Sequence, residues 1–120
     1  MEYKMYGIPN CNSVKKAKDW LNSKELQFDF HDYKKLGISE EKLNDWLTQA
    51  PWDKLVNKAG TTWRGLSQAE KDQVVDAESA KQLMLNKHSV IKRPIIENNK
   101  GKIVTIGYND SDYEHIFASR

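Results

Sequence analysis

The chain has 120 residues, of which 30% are charged and 38% apolar, and a formal net charge of +2. That length suits one domain with a real core and is short for two. No basic run of the kind nucleic-acid binding needs is present, and charged residues interrupt every apolar segment before it reaches signal-peptide or membrane length. The single cysteine excludes an internal disulfide and a cysteine-rich metal cluster, and it fits a reducing, cytoplasmic setting.

Glu2 to Tyr6 alternates and is rich in aromatic residues, which predicts a strand. The loop Gly7 to Asn10 leads to Cys11, placed where a helix begins with Asn12 or Ser13 as its N-cap. Val14, Ala17, Trp20 and Leu21 then recur at helical spacing. A helix N-terminus offers unpaired N–H groups and the positive end of the macrodipole, which favour a thiolate over a thiol and lower a cysteine pKa from its usual ~8.5. Lys15 and Lys16 sit in the first turns, where the dipole prefers acidic residues. Lys15, four residues after Cys11, is on its side of the cylinder and positioned to favour the thiolate and an anionic substrate.

Leu26 to Tyr33 alternates Phe28 and Phe30 with Asp29 and His31, a second strand, so the first third of the chain reads as a βαβ unit with parallel strands. From about 39 to 86 the pattern is helical. Ser39 caps a helix with Leu43, Trp46, Leu47 and Ala50 on one face, which Pro51 ends, and Trp52, Leu55 and Val56 suggest one more turn. Gly60 to Gly65 reads as a loop holding Trp63 and Arg64. Arginine is the usual reader of oxyanions and carboxylates, which makes Arg64 a candidate beside the simpler packing role of the loop. Ser67-Gln68-Ala69-Glu70 is a capping box, and Asp76 caps a last helix with Ala80, Leu83 and Met84.

Pro94 to Glu97 and Lys102 to Ile106, separated by Asn98-Asn99-Lys100-Gly101, predict a hairpin. Ser111-Asp112-Tyr113-Glu114 predicts a capping box for a closing helix, and the order βαβ, helices, ββα predicts a mixed sheet with helices on both faces. Proline is tolerated as the first residue of a strand; by itself the Arg93-Pro94 bond is open to either isomer, with trans the commoner. His31, His88 and His115 are far apart with no carboxylate or cysteine at ligand spacing, so no metal site is expected.

Tyr6-Gly7-Ile8-Pro9-Asn10-Cys11, Lys15-Lys16-Ala17, Trp20-Leu21, Phe30-His31-Asp32-Tyr33, Gly60-Thr61-Thr62-Trp63-Arg64 and Ile91-Lys92-Arg93-Pro94-Ile95 together resemble the ArsC-like family that joins arsenate reductases to Spx-type regulators. The resemblance spans essentially the whole chain and is nearest to the family's YffB branch of glutathione-dependent thiol reductases. It implies an α/β fold with a thioredoxin-like core, about residues 1–35 and 88–120, an all-helical insertion at about 38–87, and a cis proline at Pro94. It implies Cys11 as the nucleophile, with Arg93 holding the thiolate and any oxyanion near it; Lys15, Arg64, Asn10 and Asn12 join Arg93 as candidate thiolate- or substrate-stabilising residues.

Departures from the family matter too. Arsenate reductases of this kind carry a late arginine where this chain has Ile106-Gly107-Tyr108, and their inserted arginine has no clear match around Asn57-Lys58. Each charge-assisted hydrogen bond lost is worth roughly 1.5 to 3 kcal/mol, so arsenate is expected to bind poorly. Spx-type regulators often carry a Cys-x-x-Cys switch, and here the second position is Val14. The expectation is a monomeric monothiol reductase with no bound cofactor, glutathione as co-substrate and an oxidised thiol as substrate. Glutaredoxin and RNA polymerase are further candidate partners, and the alternative is an Spx-like regulator binding RNA polymerase, or a weak or non-functional arsenate reductase homologue. Direct nucleic-acid or membrane binding is not expected.

Overall fold

A computed structural model describes residues 2–118. In chain order its elements are β1 (Tyr3–Gly7), α1 (Asn12–Ser23), β2 (Phe28–Asp32), α2 (Tyr33–Leu36), α3 (Glu40–Gln49), α4 (Trp52–Leu55), α5 (Thr61–Arg64), α6 (Gln68–Asp72), α7 (Ala77–Asn86), a 3-10 turn (His88–Val90), β3 (Ile95–Asn98), β4 (Ile103–Ile106) and α8 (Asp110–Ala118). They divide into two compact units, Met1–Leu36 with Arg93–Arg120, and Gly37–Lys92.

The first unit is an α/β layer built on one mixed sheet in the order β2-β1-β3-β4. β1 runs parallel to β2, with Tyr3 opposite Phe28 and Gly7 opposite Asp32, and antiparallel to β3, with Tyr3 opposite Asn98 and Tyr6 opposite Ile95. Alternation along β1 and β3 sends Met5 and Ile96 to one face, where they pack with Val14, Ala17 and Leu21 of α1 and Tyr113 and Phe117 of α8. Trp20 closes the seam between these helices, its ring 5.5 Å from those of Tyr113 and Phe117. Both long helices of this unit thus lie on one face of the sheet. The apolar stripes of α1 and α8 are complementary and meet over the same two strand residues. The opposite face carries Tyr6, Ile95 and Glu97, all buried, with the Tyr6 hydroxyl donating to Glu97 Oε1 at 3.0 Å.

Local chemistry explains where these elements stop. β2 ends at Asp32 because its Oδ1 accepts from Lys34 N at 2.8 Å, turning the chain into α2 at Tyr33, which the alternation pattern assigns to the strand. The β3–β4 hairpin closes through Asn98 Oδ1, which accepts from Lys100 N and Lys102 N at 2.9 and 3.1 Å, and through Gly101 at φ +79. α8 is capped by Asn109, not Ser111: Asn109 Oδ1 accepts from Asp112 N at 3.0 Å and its carbonyl from Tyr113 N at 3.0 Å.

The second unit is helical. Ser39, Ser67 and Asp76 cap α3, α6 and α7, the last two as complete capping boxes. Leu43 and Trp46 of α3 and Ala80 and Met84 of α7 are fully buried, and Lys81 of α7 bonds Glu40 at 2.8 Å and Glu78 at 3.3 Å. Its one β feature among the described residues is an antiparallel bridge between Val56 and Ile91. Gly60 to Gly65, expected as a loop, contains a helical turn: Arg64 N donates to the Gly60 carbonyl at 3.1 Å, and Thr62 Oγ1 and Ser89 Oγ are 2.8 Å apart. The glycines bound this turn instead of breaking it.

Candidate active site at the head of the first helix

β1 delivers the chain to Ile8-Pro9-Asn10, and α1 starts at Asn12. Cys11 itself is the N-cap, in place of Asn12 or Ser13. Its backbone is extended, at φ −145 and ψ 125, and its carbonyl accepts the first helical bond, from Lys15 N at 2.9 Å. Asn12 is consequently the first helical residue; its side chain and that of Asn10 are exposed.

Cys11 is half-buried and is the free thiol of the chain. Burial pushes the thiol pKa up, but the main-chain N–H of Val14, a hydrogen bond and the positive charge from the Arg93 guanidinium, and the N–H of Ser13 together outweigh it, so the pKa lies below the ordinary cysteine value. The sulfur makes no standard capping hydrogen bond. The N–H groups therefore act on it mainly as charge-favouring dipoles at the head of α1.

Arg93 reaches this thiol because of the sheet register. Tyr6 pairs with Ile95, so the residues just before β3 run beside those just after β1. The Arg93-Pro94 peptide is cis, as the family resemblance implies, and Pro94 is buried. Lys15 is exposed, and its link to Cys11 is the main-chain bond. The cation acting on the sulfur is Arg93. Arg64 belongs to the helical unit, where it closes α5 with its side chain exposed.

The main-chain donors of the site have no sequence signal of their own. The donors on Val14 and Ser13 are main-chain groups, blind to residue type. Tyr33 lies fully buried; burial and the charges of Tyr6 and Glu97 push its phenol far above the usual tyrosine value, while Arg93 pulls it back. Its place at the end of an alternating strand reads from sequence as ordinary core. Among the described residues no group of three or more His, Cys, Asp or Glu could hold a metal, and no helix is long and apolar enough to cross a membrane.

The lowered thiol pKa couples to folding. A cysteine whose folded-state pKa lies below its unfolded one binds fewer protons folded than unfolded between the two values. Its contribution to stability is full above the unfolded value near ~8.5 and lost as pH falls through the folded value. The stability of the native chain minus that of Cys11→Ala, from urea unfolding, is expected to rise with pH across that window. A difference that stays flat or falls would mean that the fold does not favour the thiolate.

The ArsC family model matches residues 6–116. The chain is similar to a solved structure described as an arsenate reductase (ArsC) related protein from Brucella melitensis, at 43% identity, with 98% of this chain and 95% of that one covered and a TM-score of 0.78. It is also similar to a solved YffB protein at 38% identity, covering 95% and 97% of the two chains with a TM-score of 0.85. The regulatory protein MgsR of Bacillus subtilis is 29% identical over 89% of this chain and 83% of its own.

Proposed function

The chain belongs to the ArsC family, and on that footing we propose that it is a glutathione-dependent monothiol reductase working through Cys11. What supports this most is a half-buried thiol at a helix head, held toward its charged form by Arg93, in a chain that has no second cysteine. The Cys11 thiolate attacks one sulfur of an oxidised substrate disulfide. A new S–S bond forms to Cys11, the old one breaks, and the other half leaves as a thiolate that takes a proton from water. With no resolving cysteine in the chain, an external thiolate must attack the mixed disulfide. Glutathione in that role leaves with the substrate half as a disulfide and restores the Cys11 thiolate; a second glutathione then frees the substrate thiol and forms glutathione disulfide. Glutathione carries two carboxylates, and Arg93 with the exposed Lys15 supplies positive charge on the Cys11 side.

A transcription-regulator reading, with RNA polymerase as partner, is favoured by the similarity to MgsR. An arsenate reading draws less support. Where those enzymes carry a late arginine the chain turns at Gly107 with φ +83, and Lys58 lies over the rings of Trp52 and Trp63 at 5.0 and 5.4 Å.

Incubation with oxidised glutathione followed by intact-mass measurement separates the readings. A single glutathione adduct that reduced glutathione removes is expected of the reductase. Absence of any adduct at neutral pH, together with capture of purified RNA polymerase, would turn the assignment to the regulator.

A further inference from the structure

Gly7, the last residue of β1, is buried, and its φ lies outside the left-handed region. Its backbone conformation is therefore open to any residue, and the demand for glycine is one of space. A Cβ built there meets Val14 Cγ2 at 2.8 Å, Phe30 Cε1 at 3.8 Å and Arg93 Cβ at 3.9 Å. The last two are ordinary van der Waals contacts. The first is closer than real side chains approach.

Val14 cannot easily yield. It is fully buried in the first turn of α1, and a β-branched side chain in a helix has one strongly preferred χ1, so its methyl cannot swing aside without entering the packed core. Any side chain at position 7 must instead push the first turn of α1 away from β1. That turn carries Cys11 at its head together with the Val14 and Ser13 N–H groups that favour its thiolate, while the Arg93 Cβ stands 3.9 Å from the same built position.

We infer that Gly7 is a positioning residue for the thiolate: its missing side chain lets the first turn of α1, with Cys11 at its head, close on β1, which sets the distance between the sulfur and Arg93. It acts on the thiolate through Val14, the side chain that a Cβ at this position would strike. The inference rests on Cys11 being a stabilised thiolate.

The test is the pH profile of iodoacetamide alkylation in native chain, Gly7→Ala, Val14→Ala and the double variant. The native midpoint is expected below the ~8.5 of a free cysteine, and Gly7→Ala is expected to raise it by at least about half a pH unit, because the sulfur, carried on that turn, draws away from Arg93. In the Val14→Ala background, where Cγ2 is gone, Gly7→Ala is expected to shift the midpoint by less than half as much. A Gly7→Ala chain that does not fold is expected to be rescued by adding Val14→Ala. A native midpoint at the free-cysteine value overturns both this inference and the proposed chemistry. A low native midpoint that Gly7→Ala leaves in place, an equal shift in both backgrounds, or a double variant that stays unfolded when Val14→Ala alone folds, overturns the inference alone.

Discussion

Replacing Arg93 with alanine is expected to slow formation of the glutathione adduct at pH 7 by roughly five- to ten-fold, while Cys11→Ser forms none. A hydrogen bond to a charged group is worth about 1.5–3 kcal/mol, but this site is partly open to water, which screens it toward about 1 kcal/mol. Two effects oppose each other. Without the guanidinium the thiol pKa rises and less thiolate is present at neutral pH, since the Arg93 hydrogen bond and charge both act to lower it. The thiolate that remains is more basic and intrinsically more nucleophilic, with a Brønsted slope of roughly 0.4–0.5. With the uncharged probe iodoacetamide, Arg93→Ala should therefore react more slowly at low pH, show a higher midpoint, and reach a faster plateau at high pH. With anionic oxidised glutathione the plateau should fall instead, because the cation that attracts the carboxylates is gone. Unchanged midpoints would remove Arg93 from the chemistry.

The largest stability effect is expected in the helical unit. Trp46 is fully buried on α3, and truncating a buried tryptophan to alanine costs about 3–5 kcal/mol through lost transfer energy and the cavity left behind. Against a typical total of about 5–15 kcal/mol, Trp46→Ala should move the urea midpoint far down or leave the chain unfolded. Leu36 is 67% exposed, and Leu36→Ala is expected to change stability by no more than about 0.5 kcal/mol. Similar midpoints for the two variants, followed by circular dichroism, would mean that Trp46 does not anchor its unit.

The features legible from sequence are those whose physics is local. Ser39, Ser67 and Asp76 sit within three residues of the N–H groups they cap, so their roles follow from short patterns, and the Asn98–Gly101 hairpin follows from turn chemistry. The same reasoning fails where two local solutions compete. Ser111 and Asn109 can each cap α8, and Asn109 takes the position, its Oδ1 accepting from Asp112 N. Gly60 and Gly65 look like breakers, yet residues between them form a helical turn whose first carbonyl is that of Gly60 itself. Cys11 is a poor cap by propensity, and it holds the N-cap position because its own extended backbone ends the loop there.

That the chain has one thiol, that this thiol stands between a strand and a helix, and that no cysteine of its own can resolve a mixed disulfide are properties of the sequence alone, because they depend on residue identity and neighbours a few positions away. Which cation meets the sulfur is a property of the tertiary structure. Lys15 is the near candidate along the chain, and only the family resemblance points to Arg93, whose charge is the one that acts on Cys11. The antiparallel pairing of Tyr6 with Ile95 brings the residues before β3 alongside those after β1, and a strand register is decided by the packing of whole faces, Met5 and Ile96 against α1 and α8. No pattern of neighbouring residues encodes it.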